Sequence, residues 1–166
     1  MNLLILLVAL LGADTTDRPV DVYASLDGTW QGTFIGWSLD GVEQYRIDVR
    51  QTYRTIDANT QTVEITDRMA DGTVITGTGQ NIARRLADGT LELICIVEKS
   101  NGDRVEHKGR LIEDIDGQKA LVWYSDGPGR QESFREAVRG DLYAIDGMGR
   151  YGKTMYLMAG RYERVE

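Results

Sequence analysis

From residue 29 onward the chain repeatedly switches face with a period of two. In YRIDVRQTY, Tyr45, Ile47 and Val49 share one side, and Arg46, Asp48 and Arg50 the other. Val63 and Ile65 oppose Thr62, Glu64 and Thr66. Val105, His107, Gly109 and Leu111 oppose Glu106, Lys108 and Arg110. Successive side chains of a strand point to opposite faces, so this alternation predicts strands with one wet and one buried side. Asp-Gly punctuates these runs at 27–28, 40–41, 71–72, 88–89, 116–117, 126–127 and 146–147, and Asn-Gly at 101–102. Both dipeptides suit tight hairpin connections of type I′, where φ is positive. The pattern predicts strands over 29–37, 42–54, 61–69, 73–86, 90–99, 104–114, 119–125, 130–139, 142–147 and 153–164. In the eighth, Phe134 and Val138 lie four apart, a spacing that also suits a short helix. Neither Pro19 nor Pro128 falls inside a strand. Gly77 and Gly79 share a face of the fourth strand and mark a bend or a place where a large ring packs.

Eight to ten strands joined by short turns close most simply into a single antiparallel up-and-down β-barrel, because closure removes the edge strands. The expected fold class is therefore all-β, with the barrel over 27–166 and a lead-in over 14–26 that places Tyr23 outside the barrel. The N-terminal segment, 1–13, has another character. Its run LLILLVALL at 3–11, followed by Gly12, Ala13 and a polar stretch, has the layout of a secretory signal peptide. It is too short to span a bilayer as a mature helix. The expected location is secreted or periplasmic, with no stable membrane span in the mature chain.

Composition narrows the chemistry. The chain has 19 Lys and Arg against 26 Asp and Glu, a formal charge of −7, which argues against a nucleic-acid partner. One Cys and one His cannot furnish a disulfide framework or the common zinc ligand sets. Cys95, inside an apolar run, reads as a small buried hydrophobe. No catalytic residue, metal ligand or cofactor site is assigned. His107 lies on the inward face, either as a ligand or proton-transfer group or as a histidine bonded to a neighbouring strand; no acid close in sequence is placed to help it. The sequence GMGRYGKT at 147–154 has the spacing of a phosphate-binding loop, but MYLMAGRYERV behind it alternates like a strand. A β-turn between the last two strands is expected there, with no nucleotide site. If the barrel encloses a ligand, Tyr45, Val49, Tyr53, His107, Trp123 and Phe134 are its expected lining; if it is filled, the same rings are core.

The stretch LDGTWQG at 26–32 resembles the opening of lipocalin-like barrels of the calycin group, in which Gly-x-Trp, here Gly28, Thr29 and Trp30, begins the first strand. The resemblance covers nearly the whole chain after residue 26. It implies that Trp30 plugs the closed end of the barrel and that a late arginine, Arg161 or Arg164, packs over it. It also implies an exported, non-catalytic carrier of a small apolar or amphipathic ligand. A structural or interaction domain with a filled interior is the alternative, and a barrel enzyme the third reading. The nitrobindin branch opens similarly and binds haem through a histidine near its last strands. This chain has no histidine after His107, so the resemblance does not extend to haem.

Overall fold

The computed structural model describes residues 22–113 and 115–165. The signal-peptide segment 1–13 and the first part of the lead-in lie outside the described residues. Ten antiparallel strands form one closed barrel in simple meander order: β1 (Gly28–Ser38), β2 (Glu43–Thr55), β3 (Thr60–Met69), β4 (Val74–Arg85), β5 (Leu91–Lys99), β6 (Arg104–Glu113), β7 (Lys119–Gly127), β8 (Arg130–Arg139), β9 (Leu142–Tyr151) and β10 (Thr154–Arg164). The barrel closes by pairing β1 with β10, from Trp30 opposite Arg164 to Ser38 opposite Tyr156. Closure satisfies every strand edge, which is why a chain of short hairpins needs no second sheet or helix layer. The eighth segment is a strand, paired along its length with β7 and β9. A helix there would have left two edges unpaired.

The hairpin chemistry departs from type I′. Among the described residues no non-glycine takes positive φ, which excludes turns that need it at two successive positions. At 38–42 the amide of Gly41 donates to the carbonyl of Ser38 at 3.0 Å, and that of Ser38 to Val42 at 2.9 Å. The same pair of bonds recurs at 69–73, 86–90 and 99–103. These are three-residue loops, a tight turn followed by a glycine with φ between 83° and 89°. In the last three of these loops the Asp or Asn before the glycine accepts a backbone amide two residues on, as Asp71 does from Thr73 at 2.9 Å; in the first, the Val42 amide donates to the Ser38 hydroxyl instead.

Not every Asp-Gly is a turn. Asp146-Gly147 lies in the middle of β9, which runs four residues beyond its expected end. The turn before β10 is therefore Gly152-Lys153, and 147–151 are strand. Gly147 is needed by packing: a Cβ there would stand 2.4 Å from the Cβ of Phe134. Inward glycines lie beneath rings at Gly36 under Tyr45, Gly109 under Trp123, Gly149 under Tyr156 and Gly160 under Tyr162. Gly77 and Gly79 are different. Their missing side chains make room for Val97 and for the β5 backbone, so they permit close strand approach and seat no ring.

The two barrel ends are unlike. At one, residues 22–26 turn inward and cap the interior. Tyr23 is 1% exposed and donates its hydroxyl to the carbonyl of Ile82 at 3.1 Å, so it belongs to the core and not outside it. Gln61 donates to the Tyr23 carbonyl at 3.0 Å and to Asp27 at 2.8 Å, and accepts from Asn81 at 3.0 Å. Asp27 also accepts from the amide and hydroxyl of Thr55. Pairing of this kind makes buried amides tolerable. At the other end the strands are joined only by short turns, and no described segment crosses the mouth.

Candidate functional site

Trp30 is wholly buried at the capped end, its indole N–H donating to the Leu26 carbonyl at 2.7 Å. The Arg164 guanidinium lies 4.1 Å above its ring centroid and donates to the carbonyls of Asp27 and Ser25. This is a cation–π contact with the cation's donors also occupied. Arg161 lies on the outer wall, where it donates to Asp146 at 2.5 Å and to the Ile145 carbonyl at 2.8 Å. Tyr143 packs edge-on against Trp30 at 5.5 Å and tilted against Tyr162 at 5.0 Å. Tyr53 joins this group, donating to Gln51 and lying 3.4 Å from the Tyr143 hydroxyl. Only about 20 Å³ remains between the cap and the wall at Leu26, Leu121 and Val138, roughly the room of one water.

Toward the mouth, burial changes. Phe34, Tyr45, Ile47, Ile65, Cys95, Val105 and Phe134 all face inward, yet each is only half buried. Water therefore reaches into this half of the barrel. Phe34 and Tyr45 stack at 6.2 Å, and Phe134 lies edge-on to His107 at 5.0 Å. Val49 is buried below them.

A polar hub stands among these rings. Glu132 of β8 is bound by His107 Nε2 at 3.2 Å, by Arg130 at 3.0 Å and by the Tyr156 hydroxyl. Burial opposes its ionisation, but the hydrogen bonds from His107 and Tyr156 and the Arg130 charge prevail and hold its pKa down to about 2. Burial and the bond to this carboxylate push the Tyr156 hydroxyl up. Burial likewise raises Tyr45, with the Glu132 charge adding to it. Across the mouth Lys99 Nζ meets Asp67 at 2.7 Å. Deeper on β8, Glu136 accepts from Trp123 Nε1 at 2.9 Å. Burial raises its carboxyl, against the pull of that bond and of His107. Cys95, opposite His107 in register, is pushed up to about 12 by burial and by the Glu136 charge, so its thiol stays protonated.

Of the expected lining residues, Tyr45, His107 and Phe134 meet around the hub, whereas Tyr53 packs with the capped end. Trp123 is 2% exposed and bridges the two zones through Glu136. Sequence reasoning missed Glu132, Glu136, Arg130 and Tyr156. The signal was there: reading 130–139 as a strand puts Arg130, Glu132, Phe134 and Glu136 on one side. The partner of His107 was invisible because it lies 25 residues away, two strands on. Among the described residues no three of His, Cys, Asp and Glu cluster as a metal site, and no helix is long and apolar enough to cross a membrane.

The fold and this lined interior define a closed ten-stranded up-and-down β-barrel. The chain is similar to Rv2717c from M. tuberculosis, with a TM-score of 0.65 and 14% identity over 89% of this chain and 98% of that one. At that identity the likeness is one of fold. A de novo designed fluorescence-activating β-barrel also matches, with a TM-score of 0.44 and 14% identity over 84% of this chain and 93% of the design. No family model and no curated relative matches the chain.

Proposed function

We propose that this barrel binds a small amphipathic molecule in its mouth half and does not transform it. The observation that carries the reading is the half-burial of inward Phe34, Tyr45, Cys95 and Phe134 beside a fixed polar hub. Apolar walls with a few oriented polar groups are the usual make-up of a small-molecule site. The ligand's apolar body lies against the rings, and its polar group meets the hub's rim. Carriage is favoured over catalysis by the state of Glu132. A carboxylate saturated by three donors, with its pKa at about 2, is a poor general base or acid near neutral pH. The lipocalin-like opening at Gly28, Thr29 and Trp30 supports the same reading, and the apolar run at 3–11 supports export.

The test is native mass spectrometry of protein purified from its own source, together with titration of an environment-sensitive apolar dye. A co-purifying mass released on denaturation, or one saturable dye site lost on Phe134→Arg, is the expected result. Neither a bound mass nor saturable dye binding would overturn the reading in favour of a filled interaction domain. N-terminal sequencing of the exported protein tests the signal segment; a chain still beginning at Met1 refutes its removal.

A further inference from the structure

On β2, β3 and β6 the outer wall is charged, with Arg46, Asp48 and Arg50, then Glu64 and Arg68, then Glu106, Lys108 and Arg110. β10 departs from this. Tyr156, Met158 and Tyr162 point inward, while Met155, Leu157 and Ala159 on its other face point out. A barrel has a single core, so this second apolar face stays on the surface. The strands beside β10 continue it. Trp37 pairs with Leu157, Leu157 with Met148, Met148 with Ser133 and Ser133 with Tyr124. This outer row crosses five strands without a charge, and its Leu157, Met148 and Tyr124 are 38%, 45% and 45% exposed. Single exposed apolar residues are ordinary, whereas a contiguous row marks an interaction surface.

Charge lies on both sides of the row, with opposite sign. On β9, Arg150 stands two residues from Met148 toward the mouth, and Asp146 two residues toward the cap. Arg150 bonds Gln131 and Asp146 bonds Arg161 within the chain, yet both side chains are exposed, and exposed pairs of this kind exchange at little cost.

We infer that a second copy of this chain docks on this wall, about a two-fold axis that runs along the row across β9 and β10. That rotation sets each row residue against its own counterpart and exchanges mouthward for capward positions. Leu157 meets Leu157 and Met148 meets Met148. Met155 of one copy meets Ala159 of the other. Arg150 of each copy meets Asp146 of the other, so the pair is made twice. An axis along β9 instead sets Arg150 against Arg150 and Asp146 against Asp146, so the charges select the orientation. The wall is convex and the contact centres on β9 and β10. Trp37 and Tyr124, two strands to either side of Met148, are long enough to reach across where the walls curve apart. The barrels lie antiparallel, which leaves their mouths at opposite ends of the dimer and both open.

Sedimentation velocity of the full chain over a concentration series tests the association and needs no variant. A reversible monomer–dimer equilibrium is expected; a chain that stays monomeric up to about 1 mM, the weak limit of a specific contact, overturns the proposal. Leu157→Arg should weaken dimerisation by about tenfold or more, since each copy brings the change to the centre of the contact. Ile112→Arg, on the outer wall of β6 with the same 38% exposure, should leave it unchanged. Arg150→Asp and Asp146→Arg should each weaken dimerisation when alone. An equimolar mixture of the two variants should recover it, because opposite charges then face each other at both places. A dimer that survives Leu157→Arg overturns the choice of wall, and a mixture that associates no better than either variant alone overturns the orientation. A monomer that binds phosphatidylcholine vesicles through Leu157 assigns the row to a lipid surface and overturns the dimer.

Discussion

At the capped end Trp30, Tyr53, Tyr143 and Tyr162 are each 6% exposed or less, whereas Phe34, Tyr45 and Phe134, on the same inward face near the mouth, stay half buried. Both groups come from the same alternation and both seat rings over glycines. What separates them is a segment of five residues, 22–26, folded across one end and held there by Gln61, Asp27 and Arg164. Buried area decides energetics, so the same kind of side chain is structural at one end and available at the other. The polar groups divide likewise. The amides at the capped end bond to one another and to backbone, while the charged groups at the mouth form a hub beside accessible rings.

The largest expected effect breaks the capped end. Trp30→Ala should lower stability by about 3–5 kcal/mol, as loss of a fully buried large ring does, read from the denaturant midpoint. A midpoint near that of the unmutated protein would mean the cap does not depend on the ring. Next comes the hub. Glu132→Gln removes charge-assisted bonds to three partners and should lower stability by about 2–3 kcal/mol at pH 7. The pH dependence carries a sign. The folded carboxyl at about 2 lies below its ordinary 4.5, so its contribution is present above about 4.5 and fades as pH falls toward 2. Acid titration of Glu132→Gln should therefore be flatter in that window than that of the unmutated chain. Glu136 runs the other way. Its raised folded pKa favours the neutral acid, so its contribution is full below the ordinary value and is lost as pH rises through the folded one. Glu136→Gln should remove that loss.

Phe34→Ala sharpens the comparison. A half-buried ring should give up about 1–2 kcal/mol, well short of the loss at Trp30. An equal loss at both would mean that the mouth is packed like the capped end, and would count against a ligand there. The smallest effect falls on Lys153, exposed at the turn between β9 and β10. Lys153→Ala should change stability by less than about 0.5 kcal/mol, as at an ordinary surface site. Calorimetric titration with Mg²⁺–ATP should show no binding, because β10 follows that turn and there is no helix N-terminus to gather an anion.

Much of the molecule was legible beforehand because period-two alternation is local. Tyr45, Ile47 and Val49 declare their face without reference to any other strand, and meander closure follows from short connections and the need to pair edges. Turn type was less legible. Asp-Gly serves a two-residue and a three-residue loop equally well, and only the backbone bonds at Gly41 and Gly72 tell them apart. Asp146-Gly147 misled because a glycine required by a neighbouring Phe134 looks the same in sequence as one required by a turn.

The amino-acid sequence by itself determined that the chain is an all-β meander, which residues face inward, and that strand ten is a strand and not the helix of a phosphate loop. These are properties of spacing within a few residues. Only the tertiary structure decided which inward residues are sealed and which stay open, that His107 meets Glu132, that Arg164 lies over Trp30 while Arg161 lies on the outer wall, and that Glu136 accepts from Trp123. Each of these depends on how far one strand is staggered against the next and on where the short lead-in folds back. That stagger arises from long-range pairing, and no window of sequence contains it.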